Sequence, residues 1–282
     1  MKDVEHNAPL AKWTSVRVGG AAEMLVRPSS PDALLEVLRD GRPVSLLGGG
    51  ANTLIGDGGV PGFTLKLPPD LFPEQIEGER ITLGGGAPIA RLITLMKQQQ
   101  LVGAEFLAGI PGTIGGATAM NAGTKNGECM RVVEAVELAT RDGIGWVSDL
   151  KYEYRHTFLP AGSVVTRVRF KLMKGDLKES AAKMEADLGY RKRTQPLSQP
   201  NFGSVFTNPP GDFAGRLIET VQLKGHTLGK AQISTVHANW IVNLGGATAK
   251  DIVGLMDLAQ ARVREASGVA LHPEVKRIGT FT

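Results

Sequence analysis

Residues 108–123, AGIPGTIGGATAMNAG, hold five glycines, four alanines and no charged side chain, and this run constrains the fold more than any other part of the chain. Glycine reaches φ > 0 and lets main chain approach another backbone or a ligand closely, so such a stretch reads as a loop wrapped on something large. A second cluster reinforces the reading. Residues 44–47 (VSLL) form a short strand-like run that breaks into Gly48-Gly49-Gly50-Ala51-Asn52-Thr53. Consecutive main-chain amides there can form an anion nest suited to phosphate. Two cradles in one chain suggest one extended ligand, such as a dinucleotide. The chain has 36 glycines in 282 residues, so turns and tight packing account for some clusters as well. Neither cluster has the G-x-G-x-x-G spacing between strand and helix, so a dinucleotide is expected on a fold other than the Rossmann type.

A chain of this length suggests two or three compact units, and 42% hydrophobic with 21% charged residues is ordinary for a globular protein. The N-terminus carries no apolar signal region and no run of about 18 apolar residues occurs, which points to a cytoplasmic protein without a membrane partner. Cys129 is the single cysteine, so it reads as a packing residue and no intrachain disulfide can form. The net charge of +4 raises the question of nucleic acid. The basic residues Arg155, Arg167, Arg169 and Arg191-Lys192-Arg193 come without a helix-turn-helix, a zinc finger or interleaved aromatics. The excess suits a small phosphorylated substrate better, and no nucleic-acid partner is expected.

Pro31 after Ser30 opens a short helix through Asp40, and a strand at 44–47 leads into the first cradle. The Pro/Gly-rich stretch 61–73 is expected to mark a boundary. Pro88 opens a helix through Gln100 with Ile89, Leu92, Ile93 and Met96 on one face. Beyond Gly123, residues 132–140 and 164–172 alternate as strands, with a hairpin turn at Asp142-Gly143. Residues 177–193 read as a helix with Ala181, Met184 and Leu188 inward, and Pro196 and Pro200 follow as a linker. A last helix, 249–266, has Ile252, Leu255, Met256, Ala259 and Val263 on one stripe and Gly268 as its stop.

Three segments carry an unusual density of polar groups: residues 152–157, 201–209 and 271–276. Ser204, between Gly203 and two apolar residues, sits where a hydroxyl can donate a proton or simply cap a turn. A G-x-S-x-G elbow and an H-E-x-x-H motif are both absent. His6, His156, His226, His237 and His272 lack metal-ligand spacing, so no metal is expected. Residues 225–231 mimic a Walker loop but are one residue short and lack the hydroxyl after Lys230.

Taken together, residues 14–20 (TSVRVGG), 46–55 (LLGGGANTLI), 110–123 (IPGTIGGATAMNAG), Tyr154-Arg155, 203–209 (GSVFTNP), 237–243 (HANWIVN) and 272–275 (HPEV) fall in a familiar order. In that order and spacing the chain resembles the UDP-N-acetylenolpyruvoylglucosamine reductase (MurB) family, in its compact type II branch. The resemblance spans nearly the whole chain.

The resemblance implies an α+β protein with an FAD-binding fold of the PCMH, vanillyl-alcohol-oxidase type, built of two α+β subdomains plus a C-terminal α+β substrate domain. The expected parts are 1–66 with the tail 273–282, 67–194, and 195–272. It implies an oxidoreductase of cell-wall peptidoglycan synthesis that reduces UDP-N-acetylglucosamine enolpyruvate to UDP-N-acetylmuramate, with FAD as cofactor and NADPH as hydride source, acting as a monomer. Gly48, Gly49, Gly50, Ala51, Asn52 and Thr53 would hold the FAD pyrophosphate together with Ile110, Pro111, Gly112, Thr113, Gly115, Gly116, Ala117, Asn121 and Gly123, which also flank the isoalloxazine. Arg155 would stabilise charge on the substrate carboxylate, Glu274 would assist there, and Ser204 would deliver the proton. Tyr154, Arg193, Asn208, Lys224, His237 and Asn239 would meet the UDP-sugar or support its pocket. Family members usually have Ser at Thr157, Lys at Thr207 and an aromatic near Lys125; Thr157 keeps the hydroxyl, whereas Thr207 removes a charge. Two other readings are a different flavoprotein oxidase or dehydrogenase of the same superfamily, and a non-catalytic flavin- or UDP-sugar-binding module.

Overall fold

The computed structural model describes residues 4–281. Residues 1–3 and 282, at the ends of the expected first part and tail, lie outside the described residues. Among the described residues six α-helices are interspersed with short strands: α1 (Pro31–Arg39), α2 (Ile89–Gln98), α3 (Ile114–Ala119), α4 (Leu177–Thr194), α5 (Ala214–Thr220) and α6 (Ala249–Ser267). The α+β class is the one expected. The chain divides into two compact units. The first contains Leu25–Gly49 and Leu65–Tyr190 with the residues up to Glu5; the second contains His6–Met24, Gly50–Thr64 and the chain from Arg191 onward. Part of the Pro/Gly-rich stretch 61–73 is strand, Val60–Leu65, and the division falls inside it, between Thr64 and Leu65.

In the first unit an antiparallel sheet runs in the order Gly143–Val147, Val133–Thr140, Val164–Lys171, Arg80–Gly84, Gln75–Glu77. Thr140 pairs with Gly143, so the hairpin loop is Arg141-Asp142, one residue earlier than the Asp-Gly signal suggests. Ile81, Leu83, Val136, Leu138, Val168 and Phe170 pack with α2 and α3 into one core. On α2 the expected Ile89, Leu92 and Met96 are buried, joined by Leu95, while Ile93 is only partly covered. Ser30 caps α1 by accepting the Ala33 amide at 3.1 Å, with Pro31 in the first turn, as the sequence pattern requires. Cys129 is 0% exposed, and burial pushes its thiol up to about 12, as befits a packing residue.

Helix α4 departs from expectation. Met184 is buried, but Ala181 and Leu188 are exposed, Leu188 by 45%. Their spacing matches one helical face, yet besides Met184 only Ser180 is covered, its hydroxyl donating to Glu105 at 2.7 Å. A stripe this narrow between charged neighbours leaves most of the helix in water.

The second unit pairs Asn201–Ser204, Trp240–Asn243, Ala231–Ile233 and Thr227–Leu228 in an antiparallel sheet, with α5 and α6 sharing its core. The Walker-like stretch is therefore a hairpin, not a loop entering a helix. The stripe read on α6 is buried in full, and Gly268 closes the helix at φ 72°. Thr248 and Asp251 form a capping box, and the Asp57 carboxylate accepts the amides of Ala249 and Lys250 at 2.8 and 2.9 Å. A cap of this kind contributes about 1 kcal/mol. Lys276–Ile278 pairs in parallel with Thr53–Ile55, which carries the C-terminal segment alongside the end of the first glycine cradle. Among the described residues no helix is long and apolar enough to cross a membrane.

One carboxylate is drawn into the first unit's sheet. Glu137, 4% exposed, accepts from Arg167 at 2.5 and 2.9 Å and from the Thr166 hydroxyl at 2.7 Å, while the Trp146 ring lies over the guanidinium. Burial alone would raise its pKa, but the bonds from Arg167 and Thr166 outweigh that and hold it below the usual value. A carboxyl depressed in the folded state adds stability above its unfolded pKa of about 4.3 and loses it as pH falls through the lower folded value. Glu137→Gln is therefore expected to cost about 2 kcal/mol at pH 7 and progressively less toward pH 3. Urea unfolding of both proteins across that range measures the convergence.

Candidate functional site

The two cradles read from the sequence touch within the first unit. A Cβ on Gly49 would lie 2.6 Å from Gly112 Cα, and one on Gly48 would lie 2.8 Å from Thr113 Oγ1. Only hydrogen at these positions allows the two loops so close. Among the described residues no acceptor takes the amides of Gly48, Gly49, Gly112 or Thr113. Lys66 donates to Gly48 O at 2.5 Å from behind, and its pKa is lowered first by burial and then by Arg27. Sequence reading missed this lysine; an isolated Lys at a strand end carries no motif.

Downstream of Thr113 the loop is spent on the protein. Ile114 and Gly115 donate to Ala87 O and Gly85 O at 2.8 Å each, and Thr113 Oγ1 accepts the Gly116 amide. Gly123 pairs so tightly with the Gly127–Glu128 strand that a Cβ would stand 2.1 Å from Gly127 O. Ala117 is buried, Ile110 is partly covered and Pro111 is exposed. Asn121 is 0% exposed, with its carboxamide donating to Glu128 and to Glu153 O and accepting from the Met130 amide. Tyr154 is 52% exposed and Arg155, at φ 62°, lies 5.0 Å from its ring centre.

The remaining residues assemble in the second unit. The cradle continues through Gly50, at φ 64°, whose carbonyl accepts from the Ser15 amide and hydroxyl at 3.1 and 3.2 Å. The amides of Gly50 and Ala51 meet no acceptor among the described residues. Ser15 also donates to Asn201 O at 2.6 Å, tying the cradle to the strand that ends in Ser204. Its place in a matched segment was the only signal for that role. Asn52 donates to Glu274 O at 3.0 Å and accepts the Lys276 amide, while Glu274 donates its amide to Val205 O at 2.8 Å. Residues 50–52, the Ser204 strand and Glu274 are thus laced together by the Ser15 and Asn52 side chains and by main-chain bonds at Glu274 and Lys276.

Asn239, 3% exposed, uses its carboxamide on the Phe206 amide and carbonyl at 3.0 and 2.8 Å, a side-chain surrogate for a strand partner. His237 Nδ1 accepts the Asn239 amide, which the neutral ring satisfies; burial first, then Lys224, lowers its pKa against the opposing pull of Glu219. Asn208 accepts the Ala214 amide at the start of α5. Lys224 pairs with Glu219 at 2.8 Å, and Arg193 is exposed on α4.

Unspent amides in glycine cradles define a class before any particular enzyme: residues 22–147 match the FAD binding domain family. Residues 195–278 match the UDP-N-acetylenolpyruvoylglucosamine reductase C-terminal domain. The reductase of that name from Myxococcus xanthus (strain DK1622) is 68% identical, covering 99% of this chain and 93% of its own. The one from Anaeromyxobacter sp. (strain Fw109-5) is 55% identical over 99% and 90%. The crystal structure of the Thermus caldophilus reductase superposes with a TM-score of 0.87 at 36% identity, covering 98% of this chain and 99% of that one. The chain belongs to the UDP-N-acetylenolpyruvoylglucosamine reductase family.

The residues fit the dinucleotide that family membership implies. A pyrophosphate needs N–H donors that no acceptor among the described residues has taken, and the first unit offers them at 48–49 and 112–113. Gly49→Ala is accordingly expected to push the Gly112 loop away and lower the FAD-to-protein ratio after purification. The ratio of flavin absorbance to protein absorbance reads this directly; full flavin content in the variant would show that the loop contact is dispensable.

Proposed function

We propose that this chain reduces the enolpyruvyl ether of UDP-N-acetylglucosamine to the lactyl ether of UDP-N-acetylmuramate, a step in peptidoglycan precursor synthesis. The observation that carries the reading is the set of amides at 48–49 and 112–113 that no acceptor among the described residues takes, in a chain that matches a reductase of that family over 99% of its length. Bound FAD would supply the hydride that reaches the β-carbon, drawn from NADPH. Gly48, Gly49, Gly50, Ala51, Gly112 and Thr113 would hold its phosphates through main-chain N–H groups.

The chain's own side chains manage charge and proton. As the β-carbon gains a hydride, negative charge spreads onto the substrate carboxylate, and the planar Arg155 guanidinium offers two oxygens a matched pair of donors. Glu274, held by its backbone beside Val205, would assist at that carboxylate. The Ser204 hydroxyl would give its proton to the α-carbon. Lys224, Arg193, Asn208, Tyr154 and His237 are assigned to the UDP-sugar, with Asn208 also accepting the first amide of α5.

By function we divide the chain into 1–66 with the tail 273–282, 67–194 and 195–272, the first two parts for FAD and the third for the UDP-sugar. The match that begins at 195 supports the start of the third part, and the match over 22–147 supports giving the chain before it to FAD. We assign the protein to the cytoplasm as a monomer whose ligands are NADPH and the UDP-sugar, without nucleic-acid or membrane partners.

The test is spectroscopic. The purified protein is expected to be yellow, to bleach with NADPH and to recover its colour with the UDP-enolpyruvyl sugar; a colourless protein indifferent to FAD would overturn the assignment. Ser204→Ala should bleach normally and reoxidise on the order of a thousandfold more slowly. Arg155→Lys should slow reoxidation by about a hundredfold, because a point charge does not reproduce a bidentate fork.

A further inference from the structure

Arg155 sits in a turn that its own sequence does not favour. The hairpin pairs Tyr152 with Thr157 and Glu153 with His156, leaving Tyr154-Arg155 as a two-residue loop. Arg155 adopts φ 62°, a left-handed conformation that costs an L-residue about 1–2 kcal/mol, and the loop contains neither glycine nor asparagine to lower that cost. Something outside the loop must hold it.

Two hydrogen bonds to the C-terminal end of α3 and the residues just past it do so, one buried and one partly buried. The Thr157 hydroxyl donates to Thr118 O at 2.6 Å, and Asn121 Nδ2 donates to Glu153 O at 3.0 Å. The two bonds land on opposite strands of the hairpin, one on either side of the Arg155 loop. Thr157 is 2% exposed and Asn121 0%. Asn121 spends its other N–H on Glu128 at 2.8 Å and accepts the Met130 amide on its oxygen at 3.0 Å, so both of its donors are taken by the protein. Helix α3 begins at the Thr113 cap, beside the Gly49–Gly112 contact, and a helix of this length spans about 9 Å. The same short helix that starts at the amide cradle ends by gripping the arginine turn.

We propose that Thr157 and Asn121 are positioning residues for Arg155: they clamp both strands of its hairpin to α3 and so fix the direction of the guanidinium. This rests on the reading above, in which Arg155 meets the substrate carboxylate. The sequence places Asn121 among cofactor contacts; its geometry gives it this different task. With either bond lost, the turn can relax toward negative φ and swing the side chain, and a displacement of about 1 Å can cost a hundredfold in rate.

The experiment follows the two half-reactions separately by stopped flow on FAD-loaded, full-length protein. Thr157→Val keeps the shape and removes the hydroxyl; Thr157→Ser keeps the hydroxyl. Asn121→Asp tolerates the left-handed backbone but cannot donate to Glu153 O. Thr157→Val and Asn121→Asp are expected to slow flavin reoxidation by the UDP-enolpyruvyl sugar about 10- to 100-fold, with bleaching by NADPH and the dissociation constant for FAD unchanged. Thr157→Ser is expected to restore the wild-type rate. Equal slowing of both half-reactions, weaker FAD binding in Asn121→Asp, or failure of the serine to rescue would each overturn the proposal. If the wild-type flavin is not reoxidised by the sugar, the underlying function reading fails, and this inference with it. If the wild type reoxidises, Arg155→Lys slows it and Thr157→Val does not, the positioning inference alone fails.

Discussion

The approach of two backbones, Gly49 against Gly112, is the constraint from which the first unit's chemistry follows. At 2.6 Å from a hypothetical Cβ to the facing Cα, no larger residue fits at 49. The close fit leaves a row of N–H groups with no acceptor among the described residues, a costly state unless an anion or water completes it. Lysine behind the row, rather than in it, keeps the donors themselves main-chain and fixed in direction. Preorganised dipoles of this sort need no reorganisation when a charged ligand arrives.

A second theme is the buried carboxamide used as a substitute for missing main-chain partners. Asn121 joins α3 to the arginine hairpin, Asn239 doubles the hydrogen bonding of Phe206, and Asn243 spans from Val16 O to the amides of Gly245 and Ala247. Each side chain has two donors and an acceptor, so one residue can close several gaps where irregular chain leaves no regular ladder. Because these groups are almost fully covered, removing any one strands its partners away from water.

Much of the architecture was legible from local signals. Ser30-Pro31 and the Leu spacing set α1, and Gly268 with the Ile252-to-Val263 stripe set α6, because caps and periodicity act within a few residues. The same periodicity misled on α4, where Ala181 and Leu188 recur correctly but face water, since spacing records which residues share a face and not whether anything covers it. The glycine runs announced loops held close to a partner; that part of the closeness is loop on loop, and helix on turn at Gly115 and Gly85, is long-range information. Family resemblance marked Asn121 and Asn239 as important, but their inward bonding depends on Glu153 and Phe206, tens of residues away. Lys66 carries no recognisable pattern and Ser15 only its place in a matched segment, and folding alone gives them their neighbours.

The lone thiol has a use that its inertness creates. Cys129 lies beneath α3, 4.0 Å from the Thr118 hydroxyl, with its amide bonded to Ala122 O. A reagent that alkylates cysteine can reach it only when that corner of the first unit breathes, so the labelling rate becomes a clock for local opening. Comparing that clock with and without a bound flavin would separate the rigidity conferred by the ligand from that of the polypeptide alone.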